Sequence, residues 1–163
     1  RARPSPLHCA ARGKGPAIKL LLEAGVDASI CGKRGVTPLY TAAYTGNLEG
    51  CRLLLAAGAH PEGRPSSSMP LFAAAMESQV EVIDLLITAG ARVTKANRKK
   101  ETALHHAARR GDVAVNRLLL GLGLDPDQAN KKGETPRTLA AKNSASGNRE
   151  ALTALYDSSI RAE

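Results

Sequence analysis

A five-fold repetition constrains this chain more than any other feature. The stretches SPLHCAA from Ser5, TPLYTAA from Thr37, MPLFAAA from Met69, TALHHAA from Thr102 and TPRTLAA from Thr135 recur at intervals of 32, 32, 33 and 33 residues. Each of the first four is followed by a leucine-rich run closed by glycine: LLLEAG from Leu20, LLLAAG from Leu53, LLITAG from Leu85 and LLLGLG from Leu118. The fifth copy is weaker and places Leu152 and Leu155 at the matching positions. A period of this length marks one supersecondary unit repeated along the chain, each unit burying its apolar face against its neighbours.

The second copy shows what one unit is. Thr37 can cap a helix start, and Pro38 suits the first turn, where its missing N–H costs nothing. Leu39, Ala42 and Ala43 fall at i, i+3 and i+4 and make one apolar stripe. The paired alanines keep that helix thin enough for close approach. Asn47 or a neighbour opens a second helix whose stripe is Cys51, Leu54 and Leu55, and Gly58 ends it. The following AHPEGRPSSS is rich in turn formers. Each unit thus reads helix, turn, helix, projecting loop.

Five in-phase copies of a T-P-L-H-x-A pattern, each leading into a Leu-rich second helix, resemble the ankyrin repeat family. The resemblance covers about residues 4–157. It implies an all-α fold, an ankyrin-repeat solenoid of stacked helix-turn-helix units with projecting β-hairpin-like loops. The expected organisation is a single domain over 1–163 with repeats near 4–31, 32–63, 64–96, 97–129 and 130–157, cut from a longer protein because the first residue is Arg1. Departures from the pattern are informative. RGKGPAIK, between the first motif and its leucine run, is one residue shorter than the matching YTGNLEGCR, which predicts a distorted first turn. Tyr40, Phe72 and Thr138 replace the motif histidine, and the loop reading RPSSSMPL lacks its glycine. Arg137 replaces the motif leucine and Lys142-Asn143-Ser144 makes a polar turn, as befits a terminal cap.

Reactive-looking residues have structural readings. The resemblance gives His8 and His105 a hydrogen-bonding, inter-unit packing role. His106 is adjacent to His105 and so faces another direction on the helix; the two are poor joint metal ligands, and no HExxH or Cys/His cluster accompanies them. The GKG at Gly13 to Gly15 and GKRG at Gly32 to Gly35 lack P-loop spacing and read as turns. No nucleophile motif is present. The expectation is therefore no enzyme, no metal and no cofactor. Cys9, Cys31 and Cys51 are odd in number and lack CxxC spacing, which fits a reducing, cytoplasmic or nuclear location. No apolar run is long enough to span a membrane.

Charge supplies the functional expectation. Residues 92–142 carry twelve Lys and Arg against five Asp and Glu, nearly the whole excess of a chain whose net charge is +8. In the resembled family, loop tips and inner helices line a concave groove that binds partners. Carried over, that groove takes Lys33 and Arg34, then Tyr44 and Met76 as apolar contacts. Arg98, Lys99, Arg109, Arg110, Lys131 and Lys132 make up its basic half. The expected partner is an extended or helical segment of another protein, with acidic residues, bound by a monomer. RNA, DNA or a phosphorylated ligand is the alternative, disfavoured because only Tyr40, Tyr44, Phe72 and Tyr156 are aromatic. A third reading makes the array a recognition arm of a larger ubiquitin ligase adaptor, channel or bacterial effector.

Overall fold

The computed structural model describes residues 5–13, 15–32, 35–63, 69–142 and 149–158. Among them are ten α-helices and no strand. Helices α1 (Pro6–Arg12) and α2 (Pro16–Glu23) form the first pair. They are followed by α3 (Pro38–Thr45) with α4 (Leu48–Ala56), and α5 (Pro70–Met76) with α6 (Val80–Thr88). The last two pairs are α7 (Ala103–Arg110) with α8 (Val113–Gly121), and α9 (Pro136–Lys142) with α10 (Arg149–Ser158). The chain divides into two compact units, Arg1–Arg92 with α1 to α6 and Val93–Glu163 with α7 to α10.

In the first unit the repeat motif produces its helices by local chemistry. The Thr37 side chain accepts the Tyr40 N–H at 3.1 Å, and Pro38 occupies the first turn of α3. Gly46, with φ 69°, ends α3 in the left-handed conformation that glycine adopts without Cβ strain. Ala42 and Ala43 are fully buried, so α3 packs closely against α1 and α5. Outer helices contribute Ile18, Cys51 with Leu54, and Val82 with Ile83 and Leu86, all essentially without exposure. Each such aliphatic side chain contributes roughly 1.5–3 kcal/mol on burial.

Polar side chains then fix how successive pairs meet. His8 accepts the Ser5 hydroxyl at Nδ1 (2.7 Å) and donates from Nε2 to the Val36 carbonyl (2.9 Å), one repeat further on. Asn47 caps α4 by accepting the Gly50 N–H at 2.8 Å. Its amide also donates back to the Ala11 carbonyl at 3.1 Å and to that of Gly13, which end α1. The first turn differs as its shortened sequence predicts: Gly13 is extended (φ −94°), and α2 starts at Pro16 without a side-chain cap. In the third pair Ser78 holds φ 57° where Gly46 stands in the second, a left-handed backbone carried by a residue with a Cβ.

The second unit closes with a polar lock. Asn116, fully buried in α8, donates to the carbonyls of Ala107 (3.0 Å) and Asp112 (2.6 Å). Its oxygen accepts the Tyr156 hydroxyl from α10 at 2.6 Å. Arg137 binds both carboxylate oxygens of Asp127 (2.8 and 3.1 Å), reaches Asp157 at 3.1 Å and lies 5.9 Å from the Tyr156 ring. A motif leucine has thus been exchanged for a clamp that ties α9 to the loop before it and to α10. The buried pair of α10 is Leu152 and Tyr156, whereas Leu155 is only half-buried. The strict repeat spacing had matched Leu155. Tyr156, one residue further on, occupies the inward position instead.

Tyr156→Phe leaves the buried Asn116 oxygen without its donor. The expected cost is about 1–3 kcal/mol, read as a lower urea midpoint with an unchanged slope; an unaltered midpoint contradicts the lock.

Candidate partner-binding face

The loops preceding α7 and α9 share the pattern Asn-x-Lys-x-Glu, NRKKE from Asn97 and NKKGE from Asn130. The pattern builds one turn twice. The Asn97 oxygen accepts the N–H groups of Lys99 (2.8 Å) and Glu101 (3.0 Å), and its amide donates to the Glu101 carboxylate at 3.0 Å. Asn130 does the same with Lys132 (2.8 Å), the Glu134 N–H (3.0 Å) and the Glu134 carboxylate (3.1 Å). Backbone bonds from Asn97 to Glu101 and from Asn130 to Glu134, each 2.9 Å, close the loops as the expected hairpin-like turns. The tightest corner falls at Lys100 (φ 60°) and Gly133 (φ 75°).

These braces present the side chains between them outward. Arg98, Lys99, Lys100, Lys131 and Lys132 are all exposed. The Lys131 N–H donates to the Lys99 carbonyl at 2.9 Å, so the two tips are joined backbone to backbone. None of the five has an ion-pair partner among the described residues. Arg110, exposed at the end of α7, adds a sixth unpaired cation to the same unit.

The bases of the loops are electrically different from the tips. Arg109 extends back along α7 to Glu101 at 2.5 Å and also meets Glu134 at 3.4 Å. Arg109 and Arg110, grouped together in the basic half expected from the sequence, therefore differ in their surroundings. Arg109 ties the two brace glutamates of successive repeats together, while Arg110 faces solvent. Glu101 is 7% exposed, and burial alone raises a carboxyl's pKa. Hydrogen bonds from Asn97 and Arg109 and the charges of Arg109 and His106 overcome that, and its pKa is lowered. His106 lies 4.0 Å from Glu101. Burial, with Arg109, His105 and Lys99 adding to it and Glu101 opposing, pushes His106 down to about 4. It is a neutral ring at neutral pH. His105 is fully buried; its Nδ1 accepts the Thr102 N–H at 3.1 Å, and its ring also meets the Glu134 backbone. The structural role expected of this histidine holds.

In the first unit, Tyr44 (44% exposed) and Met76 (36% exposed) stand at corresponding places on the packed helices α3 and α5. Burial, then Tyr44 and Glu77 nearby, raises the pKa of half-buried Tyr40. Lys33 and Arg34 lie outside the described residues, as do the RPSSS run and Asn143-Ser144. Cys9 and Cys31 are exposed, while burial pushes the Cys51 thiol up to about 12. No group of three or more metal-ligating side chains exists among the described residues. Sequence reasoning passed over the two asparagines, although the shared Asn-x-Lys-x-Glu pattern was the available signal.

A family model described as ankyrin repeats (3 copies) matches residues 2–65 and 71–163. Protein PhlB of Serratia liquefaciens is 37% identical over 94 residues, 56% of this chain and 41% of its own length. The human Ankyrin repeat and SOCS box protein 11 is 34% identical over 110 residues, 67% of this chain and 34% of its own. A Transient receptor potential cation channel subfamily A member 1 homolog of Caenorhabditis elegans is 32% identical over 100 residues, 61% of this chain and 8% of its own. The chain therefore spans well under half of each of these relatives.

The His106 environment sets a pH dependence. Between pH 6.5 and about 4 the unfolded chain binds a proton at this ring that the folded chain refuses. Stability therefore falls as pH falls through that window, by up to about 3 kcal/mol. Glu101 acts lower: its stabilisation is complete above 4.5 and is lost as pH falls through its lowered value. His106→Gln is expected to flatten the upper window, measured as urea midpoints at pH 7 and pH 4.5. An unchanged difference between them contradicts the assignment.

Proposed function

We propose, because this chain belongs to the ankyrin repeat family, that it is a non-enzymatic interaction module whose second unit captures an acidic segment of a partner protein. Ankyrin repeats are generally protein–protein interaction modules. The observation that carries the finer reading is the row of exposed, unpaired cations on two loop tips joined by the Lys131–Lys99 backbone bond. Lysines act there as mobile point charges, and Arg98 and Arg110 can bind carboxylates through two parallel N–H donors. A cluster of one sign also steers an acidic segment during approach. Tyr44 and Met76 serve as apolar contacts on the first unit, with Lys33 and Arg34 as further cations. The module acts within a larger polypeptide, inside the cell. Relatives whose names join ankyrin repeats to a SOCS box or a cation channel support the first point, and three free thiols support the second.

Arg109 is the wrong residue for a test, since reversing it strands the buried Glu101. Arg98, Lys99, Lys131 and Lys132 changed together to glutamate leave the braces intact. The expected result is binding to glutamate-rich peptides weakened about tenfold or more, steeper weakening with salt in the unaltered chain, and an unchanged far-UV helix signal. Equal affinity of the two chains discards the basic-face reading, and tighter binding of single-stranded RNA than of acidic peptide replaces it with polyanion recognition.

A further inference from the structure

The first helix pair exposes the side that its two successors bury. A Cβ placed on Gly50 of α4 would lie 2.8 Å from Ile18 Cδ1, which identifies the Gly50 position as the one turned toward the preceding pair. The same position is Val82 in α6, and both are buried; in α2 it is Ala17, which is exposed. Pro38 and Pro70 are buried, but Pro6 is exposed. Leu54 and Leu86 have no exposure, while Leu21 is partly exposed. Val26 is likewise partly open where Ala59 and Ala91 are 6% and 7% exposed. Leu20, 67% exposed, stands beside them.

A repeat that ends an array needs a polar outer side to stay soluble. The helix that ends the second unit has one: α10 exposes Arg149, Glu150, Thr153 and Asp157. Helices α1 and α2 also expose Arg12, Lys19 and Glu23, but at the positions compared above they keep the apolar residue types of the interior interfaces. We infer that a further helix-turn-helix repeat of the same polypeptide, preceding Pro6, stacks on α1 and α2 and continues the interface by which α1 and α2 meet α3 and α4. A repeat is the occupant that fits, because the surface offered repeats, small or apolar position for position, the one that the second pair offers to the first.

Cys9 is a built-in reporter. Its counterparts are Thr41, partly buried in α3, and Ala73, fully buried in α5; Cys31 lies on a loop, and both thiols are exposed here. The experiment compares the intact polypeptide of the natural gene with residues 1–163 by thiol labelling and native-state hydrogen exchange. Stacking predicts that in the intact polypeptide Cys9 labels at least tenfold more slowly and the α1 and α2 amides gain comparable protection, with Cys31 unaffected. Ala17→Glu with Leu20→Glu in the intact polypeptide should return both signals toward those of 1–163. Equal labelling and exchange in the two chains overturns the inference. So does sedimentation showing that 1–163 pairs through this side, with the mass halved by Ala17→Glu, since the occupant is then a second copy.

Discussion

A pair of helices of seven to ten residues has an apolar face that it cannot bury by itself. Everything else about this chain follows from that constraint. Its core holds one phenylalanine and one fully buried tyrosine, so the apolar area must come from alanines and branched aliphatics brought into close approach. Fully buried Ala42 and Ala43 are useful because they are small: they let inner helices lie near one another, and burial then extends from pair to pair within a unit. Apolar contact alone tolerates sliding. The directional bonds from His8 to Val36 and from Asn47 to the end of α1 do not, since their acceptors are backbone carbonyls fixed in the neighbouring repeat.

Register in turn determines the electrostatics of the second unit. Two Asn-x-Lys-x-Glu turns, set side by side, put their glutamates where one guanidinium reaches both. Like charges so close would repel if left alone; Arg109 offsets them and holds the turns together. The negative charge of the loops is thereby consumed at their bases, and the cations at the tips are left to solvent. A positively charged outer edge above a compensated base suits the capture of an acidic segment. Attraction is available to a partner without being spent on internal pairs, and the backbone carrying it is already ordered.

Much of this was legible in the amino-acid order. The recurrence of variants of Thr-Pro-Leu at nearly constant spacing announces the helices, their starts and their partners, because caps and prolines act locally. The basic tips were legible as well, from Arg98-Lys99-Lys100 and Lys131-Lys132. What escaped reading depends on contacts across repeats or on substituted turns. Arg109 looks like half of an anion clamp until Glu101 and Glu134 are placed beside it from eight residues before and twenty-five after. Tyr156 was hidden because the partner of its hydroxyl, the Asn116 side chain, lies forty residues earlier in the chain. Ser78 and Lys100 sit in left-handed backbone without the glycine that usually signals it.

The central claim is that adjacent loop tips are locked in register, and the Lys131 amide reports on that directly. It lies in an exposed loop, and its acceptor is the Lys99 carbonyl of the preceding repeat, 2.9 Å away. Native-state hydrogen exchange resolved at this amide should show protection of about a hundredfold or more over an unstructured chain, as for a backbone bond released only by local opening. Exchange at the unstructured rate, with the Asn130 and Leu119 amides still protected, would mean that the tips move independently and that no joined basic face exists.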